Sequence, residues 1–571
     1  MLRLLKGLWP YRWSVASILA LVSMAAIADL YLPNLMSDIV NTGIVEGDVG
    51  FILRQGGLML VFALIGMACT TASMYFAMRV GAGFGRDLRR KVFVKANSLS
   101  LHDMNEIGPA SLITRTTSDI SQIQMVLPMM IRLLIASFIT VIGATIMSIQ
   151  KDPRLSTILL VSIPTIITAI LIISFITMPM FKGVQKKLDY VNQVVREKLT
   201  GIRVIRVFNK VKVEEERFNE ANNQLLSLSV KATRIMGLLM PVLMLTLNLS
   251  IVAVVWFGAF RVDQGSILVG NLMAIVQYFT QLLISLLLMS MVISMIPRCQ
   301  ASALRILEVL GQESPIQDPE VQKPAGAQAS VEFKNVSFGY EGAEAYALKD
   351  ISFKTNSGEV TAIIGGTGSG KTSILNLIPR FYDAVKGEVL VNGVNVKDMD
   401  QSTLRERIGY APQKALLFSG TIEENLNFGL EGASEAQLAH ALEIAQAKEF
   451  VSKFEQGTGA AINQGGSNLS GGQRQRLSIA RAIIKQPEIY LFDDSFSALD
   501  YKTDAQLRAA LQSEIQESVV IIVAQRINTV MDADRILVMN EGAIVAEGTH
   551  EELLKSSKIY LEIAESQLGV M

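Results

Sequence analysis

The sequence predicts two unlike parts on one chain: an all-α membrane domain of six spanning helices, then a cytosolic α/β domain that carries a helical subdomain. Three observations predict this. Six apolar runs lie in the first 300 residues, each near the roughly 20 residues that a bilayer crossing needs. A glycine-rich loop joins an apolar strand to a helix close to residue 370. Between these parts, Pro315, Pro319 and Pro324 interrupt the pattern. The chain has 571 residues, too many for one core. Its 52 basic and 52 acidic side chains cancel, so no bulk attraction to nucleic acid is predicted. Cys69 and Cys299 have no spacing for a metal site or a disulfide framework and are read as packing residues.

The apolar runs cover about 13–35, 52–78, 126–149, 155–178, 237–260 and 272–296. The first is long and five more follow, so it reads as an anchor and not a cleavable signal. Loop charge sets the orientation. Arg3, Lys6 and Arg12 precede the first run, and six basic residues from Arg79 to Lys95 follow the second. A long basic loop from Lys182 to Lys212 follows the fourth, whereas the loop with Asp38, Glu46 and Asp48 has no basic residue. Both termini are therefore expected in the cytosol. The cytosolic loops 79–124 and 179–234 contain helix-forming stretches at 85–96 and 186–200. They are predicted to prolong the spans, with a short turn at each tip near 102–107 and 208–215.

Polar groups inside spans are costly and default to a functional reading. Asp29 is the one acid within a span. It is either a carboxylate hydrogen-bonded to a neighbouring helix or a cavity or outer-gate residue that meets a cationic solute. Gln277 and Gln281 are four apart and share a helix face, with Ser285 nearby. That face is expected at a helix interface or a water-filled path. The many Met, Leu and Ile side chains suit either an adaptable apolar pocket or plain lipid-facing surface.

After the linker, 331–336 and 359–364 read as strands. Gly365, Gly366, Thr367, Gly368, Ser369, Gly370, Lys371 and Thr372 follow, and an apolar helix runs on from Ser373. Strand, phosphate loop and helix in this order define a P-loop NTPase domain. The glycines let backbone amides turn onto phosphates, and the helix N-terminus adds partial positive charge. Lys371 is placed to reach the β- and γ-phosphates and Thr372 to ligate Mg²⁺, so ATP and Mg²⁺ are the expected ligands. The apolar strand 489–492 delivers Asp493 as the partner on the magnesium side.

Leu469-Ser470-Gly471-Gly472-Gln473 stands between these motifs, with Arg474-Gln475-Arg476 next on a helix. This segment resembles the signature sequence of ABC transporters, and six spans followed by one such domain resemble an ABC exporter half-transporter over essentially the whole chain. The resemblance implies that Tyr340 stacks on adenine, and that Gln413 senses Mg²⁺ and the membrane helices. It also implies that Ser497-Ala498-Leu499-Asp500 crosses a dimer interface. Two such domains would pair head to tail, each ATP held by one chain's phosphate loop and by Ser470, Gly471, Gly472 and Gln473 of the other.

Two positions depart from the family. Asp494 stands where a glutamate normally polarises the attacking water, and Gln525 where a histidine normally contacts the γ-phosphate and that water. A smaller departure is Gln464, where these exporters often carry glutamate. Binding motifs are intact beside a weakened cleavage site, and the intact signature acts across the interface. A heterodimer with a second, non-identical half-transporter is therefore expected, resembling the degenerate-site subunit of heterodimeric bacterial multidrug exporters. Its other expected partners are membrane lipid and an amphipathic small-molecule cargo. Lipid or lipid-linked flipping, peptide export and an ATP-gated channel or regulator stay open on the same scaffold. Hydrolysis of the cargo has no support, because only His102, His440 and His550 occur and no nucleophile constellation accompanies them. An importer is disfavoured by analogy of layout alone. The expected division is 1–315 membrane domain, 316–330 linker and 331–571 nucleotide domain, with a helical subdomain at about 421–486. The compact layout points to a bacterial plasma membrane.

Overall fold

The computed structural model describes residues 6–324, 326, 328–514 and 516–568; Arg3 lies outside them. By internal contacts the chain forms two units, Met1–Asn97 with Pro109–Gly311, and Ser98–Gly108 with Gln312–Met571.

The first unit is built on long helices. In chain order the helical segments are α1 (Lys6–Ile44), α2 (Val49–Asn97), the short α3 (Leu101–Ile107), α4 (Pro109–Lys151) and α5 (Pro153–Thr200). The short α6 (Ile202–Val207), α7 (Val211–Asp263) and α8 (Val269–Gly311) follow. Six of these are long and apolar enough to cross a membrane, at 39 to 53 residues each. At 1.5 Å per residue they run well past a hydrocarbon core of about 30 Å. Stretches 85–96 and 186–200 are continuous with the spans, as the sequence predicts.

One tip differs from expectation: helix α3 stands where the turn near 102–107 is predicted, whereas the chain does turn at 208–210, between α6 and α7. Ser100 caps α3 through a reciprocal capping box with Asp103, which satisfies two orphan amides and makes a seven-residue helix stable. Gly108, at φ +80°, and Pro109 then end it. Asn209, at φ +51°, stops the chain after α6.

Apolar packing holds the bundle through Leu30, Ala144, Leu159, Leu243, Tyr278 and Leu282. Polar ties fix its ends. Ser37 Oγ donates to Asn271 Oδ1 at 2.7 Å, and the Gly270 amide to Asn41 Oδ1 at 2.7 Å, joining α1 to α8. Asp119 of α4 pairs with Arg305 and accepts from Ser302 Oγ on α8. Cys69 and Cys299 are free and buried among packed side chains.

Among the described residues the second unit has twelve strands: β1 (Ser330–Phe338), β2 (Leu348–Asn356), β3 (Val360–Gly365), β4 (Lys386–Val391), β5 (Val394–Asn395) and β6 (Ile408–Ala411). They continue as β7 (Gly420–Thr421), β8 (Ala461–Ile462), β9 (Ile489–Asp493), β10 (Val519–Val523), β11 (Arg535–Asn540) and β12 (Ala543–Gly548). The central sheet runs β12-β11-β3-β10-β9-β6, parallel except at β12. Its middle strands are buried on both faces: Ile363, Leu491 and Ile521 enter one core, while Ala362, Phe492 and Ile522 enter the other. That double burial is why these strands read as unbroken apolar runs. A second sheet, β2-β1-β4-β5, packs over the first core. Residues 422–483 supply most of the helical part of the other core.

The tip Ser98–Gly108 groups with this unit. Asp103 accepts from Gln312 Nε2 at 2.8 Å, His102 Nε2 lies 3.0 Å from Glu341 Oε2, and Asn105 bonds the Tyr382 hydroxyl.

Candidate nucleotide site

Parallel β3 ends at Gly365, and the chain turns through 366–370 into α9 (Lys371–Leu377), two residues earlier than predicted. Gly370 has φ +98°, and a Cβ there would stand 2.7 Å from the Ala347 carbonyl. No other residue fits that turn. With Gly368 also at positive φ, the loop can aim its amides inward at phosphate oxygens. Lys371 folds back over the loop, donating from Nζ to the Gly365 carbonyl at 2.9 Å and the Gly366 carbonyl at 2.7 Å. Burial pulls its ammonium below the usual lysine range, against the opposing pull of Asp494 and Asp493.

Because β9 lies two strands from β3, its last residue Asp493 reaches the start of α9. Thr372 Oγ1 donates to Asp493 Oδ1 at 3.0 Å. Burial raises the Asp493 carboxyl above its ordinary range, with the Thr372 bond opposing. The arrangement fits Mg²⁺: a buried carboxylate without a cationic side chain on it, beside a hydroxyl, offers hard oxygens only. Among the described residues no group of three or more His, Cys, Asp or Glu gathers, so the remaining ligands would be the Gln413 amide oxygen, predicted from the sequence, with phosphate and water oxygens. When bound, the ion would neutralise charge on the phosphates. Thr372 and Asp493 would hold it.

Asp494 is the next residue and sits at φ +45°, its amide donating to the Val523 carbonyl at 2.8 Å. This left-handed kink turns its carboxylate away from the strand direction. One oxygen, Oδ2, accepts from Gln413 Nε2 at 3.3 Å and from Gln525 Nε2 at 3.2 Å. Gln413 follows the end of β6 by two residues, and Gln525 follows the end of β10 by two. Burial raises the Asp494 carboxyl, with the bonds from Gln413 and Ser497 opposing.

The structure thus gathers Lys371, Thr372, Gln413, Asp493, Asp494 and Gln525. Tyr340 sits beside the same helix, its hydroxyl 2.9 Å from Ser373 Oγ. Its ring meets Tyr382 edge-on at 5.4 Å. Ser470 caps the exposed N-terminus of α10 (Gly471–Ile483) in a box with Gln473, whose Oε1 accepts from the Ser470 amide at 2.8 Å. A Cβ on Gly471 would meet nothing within 4 Å, whereas one on Gly472 would stand 3.2 Å from the Ala498 carbonyl. Asp500 accepts from the Thr503 amide at 3.0 Å and its hydroxyl at 2.8 Å, starting the helix Tyr501–Glu514. In this single chain neither Ser470 nor Asp500 bonds to the phosphate-loop residues. In the membrane unit Gln281 donates to the Asp29 carbonyl at 3.2 Å, while Gln277 is exposed.

Sequence reasoning missed Tyr410 and Tyr382. The Tyr410 hydroxyl bonds Asp493, and burial with that contact raises it above the usual phenol range. Only the pairing of β6 with β9 puts it there.

A phosphate loop, a strand-borne acid at its magnesium side and a capped Ser-Gly-Gly helix, on a chain with six spanning helices, point to the ABC class of ATP-driven transporters. Residues 15–286 match the ABC transporter transmembrane region and residues 348–497 match the ABC transporter domain. An uncharacterized ABC transporter ATP-binding protein of Mycobacterium tuberculosis is 39% identical over 98% of this chain and 96% of its own length. The uncharacterized ABC transporter ATP-binding protein YfiB of Bacillus subtilis is 36% identical over 100% of this chain and 99% of its own. An ATP-dependent lipid A-core flippase of Desulfotalea psychrophila is 31% identical over 97% and 96%. The structure of a bacterial Atm1-family ABC exporter with ATP bound superposes with a TM-score of 0.82, at 25% identity, over 97% of this chain and 98% of that one. The chain belongs to the ABC transporters, as a multi-pass membrane half-transporter of exporter fold that binds ATP.

Proposed function

We propose that this chain is one of two non-identical subunits of a heterodimeric exporter of amphipathic small molecules, of multidrug type, in a bacterial plasma membrane. Both termini lie in the cytosol. Residues 1–315 form the membrane domain, 316–330 the linker and 331–571 the nucleotide domain, with the helical subdomain at about 421–486. Its own phosphate loop, with Tyr340 on the adenine, holds ATP and Mg²⁺ and hydrolyses slowly. Its Ser470–Gln473 segment completes the partner's faster site, and Asp500 lies at the interface. Cargo passes the membrane half near Asp29, Gln277 and Gln281.

The observation that carries this reading is the tethering of Asp494. Its carboxylate is one methylene short of the usual glutamate, and Oδ2 is already engaged by Gln413 and Gln525. A misplacement of about 1 Å can cost on the order of 10²-fold in rate. Gln525 donates an N–H but stays uncharged near neutral pH, where a histidine can carry a proton. Restoring Asp494→Glu together with Gln525→His should raise ATP turnover at this site, read with the partner's own site disabled, by at least about tenfold. Unchanged turnover would locate the limit in the partner's signature and sink the degenerate-site reading.

A second reading, lipid or lipid-linked flipping, is favoured by the similarity to the lipid A-core flippase. ATPase stimulation by lipid precursors and not by hydrophobic cations would select it. The two weakened positions equally suit an ATP-gated channel or regulator, which single-channel recording would reveal.

A further inference from the structure

Pro33 lies inside α1. It has no amide hydrogen, so the carbonyl four residues earlier, that of Asp29, loses its helical donor. A side chain from another helix replaces it: Gln281 Nε2 of α8 donates to the Asp29 carbonyl at 3.2 Å. This commits one end of the Gln281 amide, and the other, Oε1, is buried with no donor. The Asp29 carboxylate lies against Gly66 of α2, where a Cβ would come within 3.2 Å of Oδ1. Among the described residues no ion pair or side-chain hydrogen bond engages that carboxylate. One turn along α8 from Gln281, the hydroxyl of fully buried Tyr278 is also without a partner. Phe62, on the same face of α2 as Gly66, has its ring 4.9 Å from that of Tyr31, the two tilted by 38°.

The unmet groups at this place are thus a charged acceptor and a neutral acceptor, with aromatic side chains on the neighbouring turns. An unpaired carboxylate within a span is expensive unless something satisfies it. A lipid chain offers nothing to it. A cation that carries N–H donors on an apolar body answers both the charge and the unmet acceptors. We propose that Asp29 and Gln281 form a subsite for the protonated amine, amidinium or guanidinium group of a cationic amphiphile. Pro33 creates the site by freeing the carbonyl that holds Gln281 in place, and Gly66 gives the carboxylate room. The proposal rests on the reading that the spans enclose a cargo path, but not on the heterodimer or on ATP hydrolysis.

The test is ethidium binding, followed by fluorescence, to the full-length protein in lipid nanodiscs without ATP. Nile red, which is neutral, serves as the control probe. Asp29→Asn should weaken ethidium by at least about tenfold, as expected for loss of a close charge pair. Asp29→Glu should bind ethidium within about threefold of wild type, which separates loss of charge from misfolding. Gln281→Ala should weaken ethidium and leave Nile red unchanged. Wild-type ethidium affinity in Asp29→Asn, or equal loss of both probes, overturns the subsite. Because ATP is absent, a failure of ATP-driven export leaves this result readable on its own.

Discussion

At the scale of single residues, Asp494 concentrates the chemistry of the nucleotide site. It is buried, at positive φ, and its carboxyl is raised chiefly by burial. A carboxyl held above its ordinary range favours the folded state while protonated and opposes it once ionised. The penalty is therefore full above the raised value and vanishes below the ordinary carboxylate range. Asn tolerates the left-handed conformation and carries no charge. Asp494→Asn should raise the melting temperature of the full-length protein at pH 7.5 by about 2–4 °C. The gain should shrink as pH falls through the raised range and be absent near pH 3.5, where thermal scans in lipid nanodiscs would read it. A gain independent of pH would mean that shape, not charge, sets the effect. The sequence shows the identity of Asp494 and Gln525 without difficulty. It does not show that Gln413 and Gln525 converge on one oxygen, because they follow different strands, 112 positions apart by subtraction of their numbers.

Among the elements, the tip helix α3 is the most informative. Asp103 is buried and collects the Ser100 amide at 3.1 Å, the Ser100 hydroxyl at 2.6 Å and Gln312 Nε2 at 2.8 Å. Burial pushes its carboxyl up, but the bonds from Ser100 and Gln312 outweigh it and leave the carboxyl below the usual range. Asp103→Ala removes all three bonds. Amide hydrogen exchange across 98–108 should accelerate by about 10- to 100-fold, as for a local loss of a few kcal/mol. Unchanged exchange there would mean that the capping box does not hold the tip. Ser100 followed three positions later by Asp103 is a capping pattern visible in the sequence, yet the segment reads as a turn by composition. Seven residues are too few for periodicity to register, so only the cap marks such a helix. The long spans were legible because about 20 apolar residues have few other uses in a chain. Their cytosolic prolongations were legible from helix-forming composition.

At the scale of the whole molecule, the proposed asymmetry predicts unequal damage from two substitutions in one chain. Lys371→Ala strips the phosphate loop of its cation and should lower ATP turnover of the assembled transporter less than about tenfold, because this site contributes little hydrolysis. Gly471→Asp puts a negative charge at the exposed start of α10, where a Cβ meets nothing in its own chain. It should cut turnover by at least about 100-fold, through repulsion of the partner-bound phosphates and loss of close approach. Equal losses from the two substitutions would favour two equivalent sites. A dimer of this chain alone with ordinary exporter turnover would do the same.

The sequence by itself determined the class: local composition sets bilayer-spanning length, and the phosphate loop and signature are contiguous motifs whose geometry is short-range. Tertiary structure alone decided which distant groups share an atom or a vacancy. Thr372 meets Asp493, two amides meet one oxygen of Asp494, Tyr410 reaches Asp493, and Gln281 replaces the donor that Pro33 lacks. Hydrogen bonds act over about 3 Å, whereas strand order and helix packing bring together residues tens or hundreds of positions apart. No periodicity along the chain records those meetings.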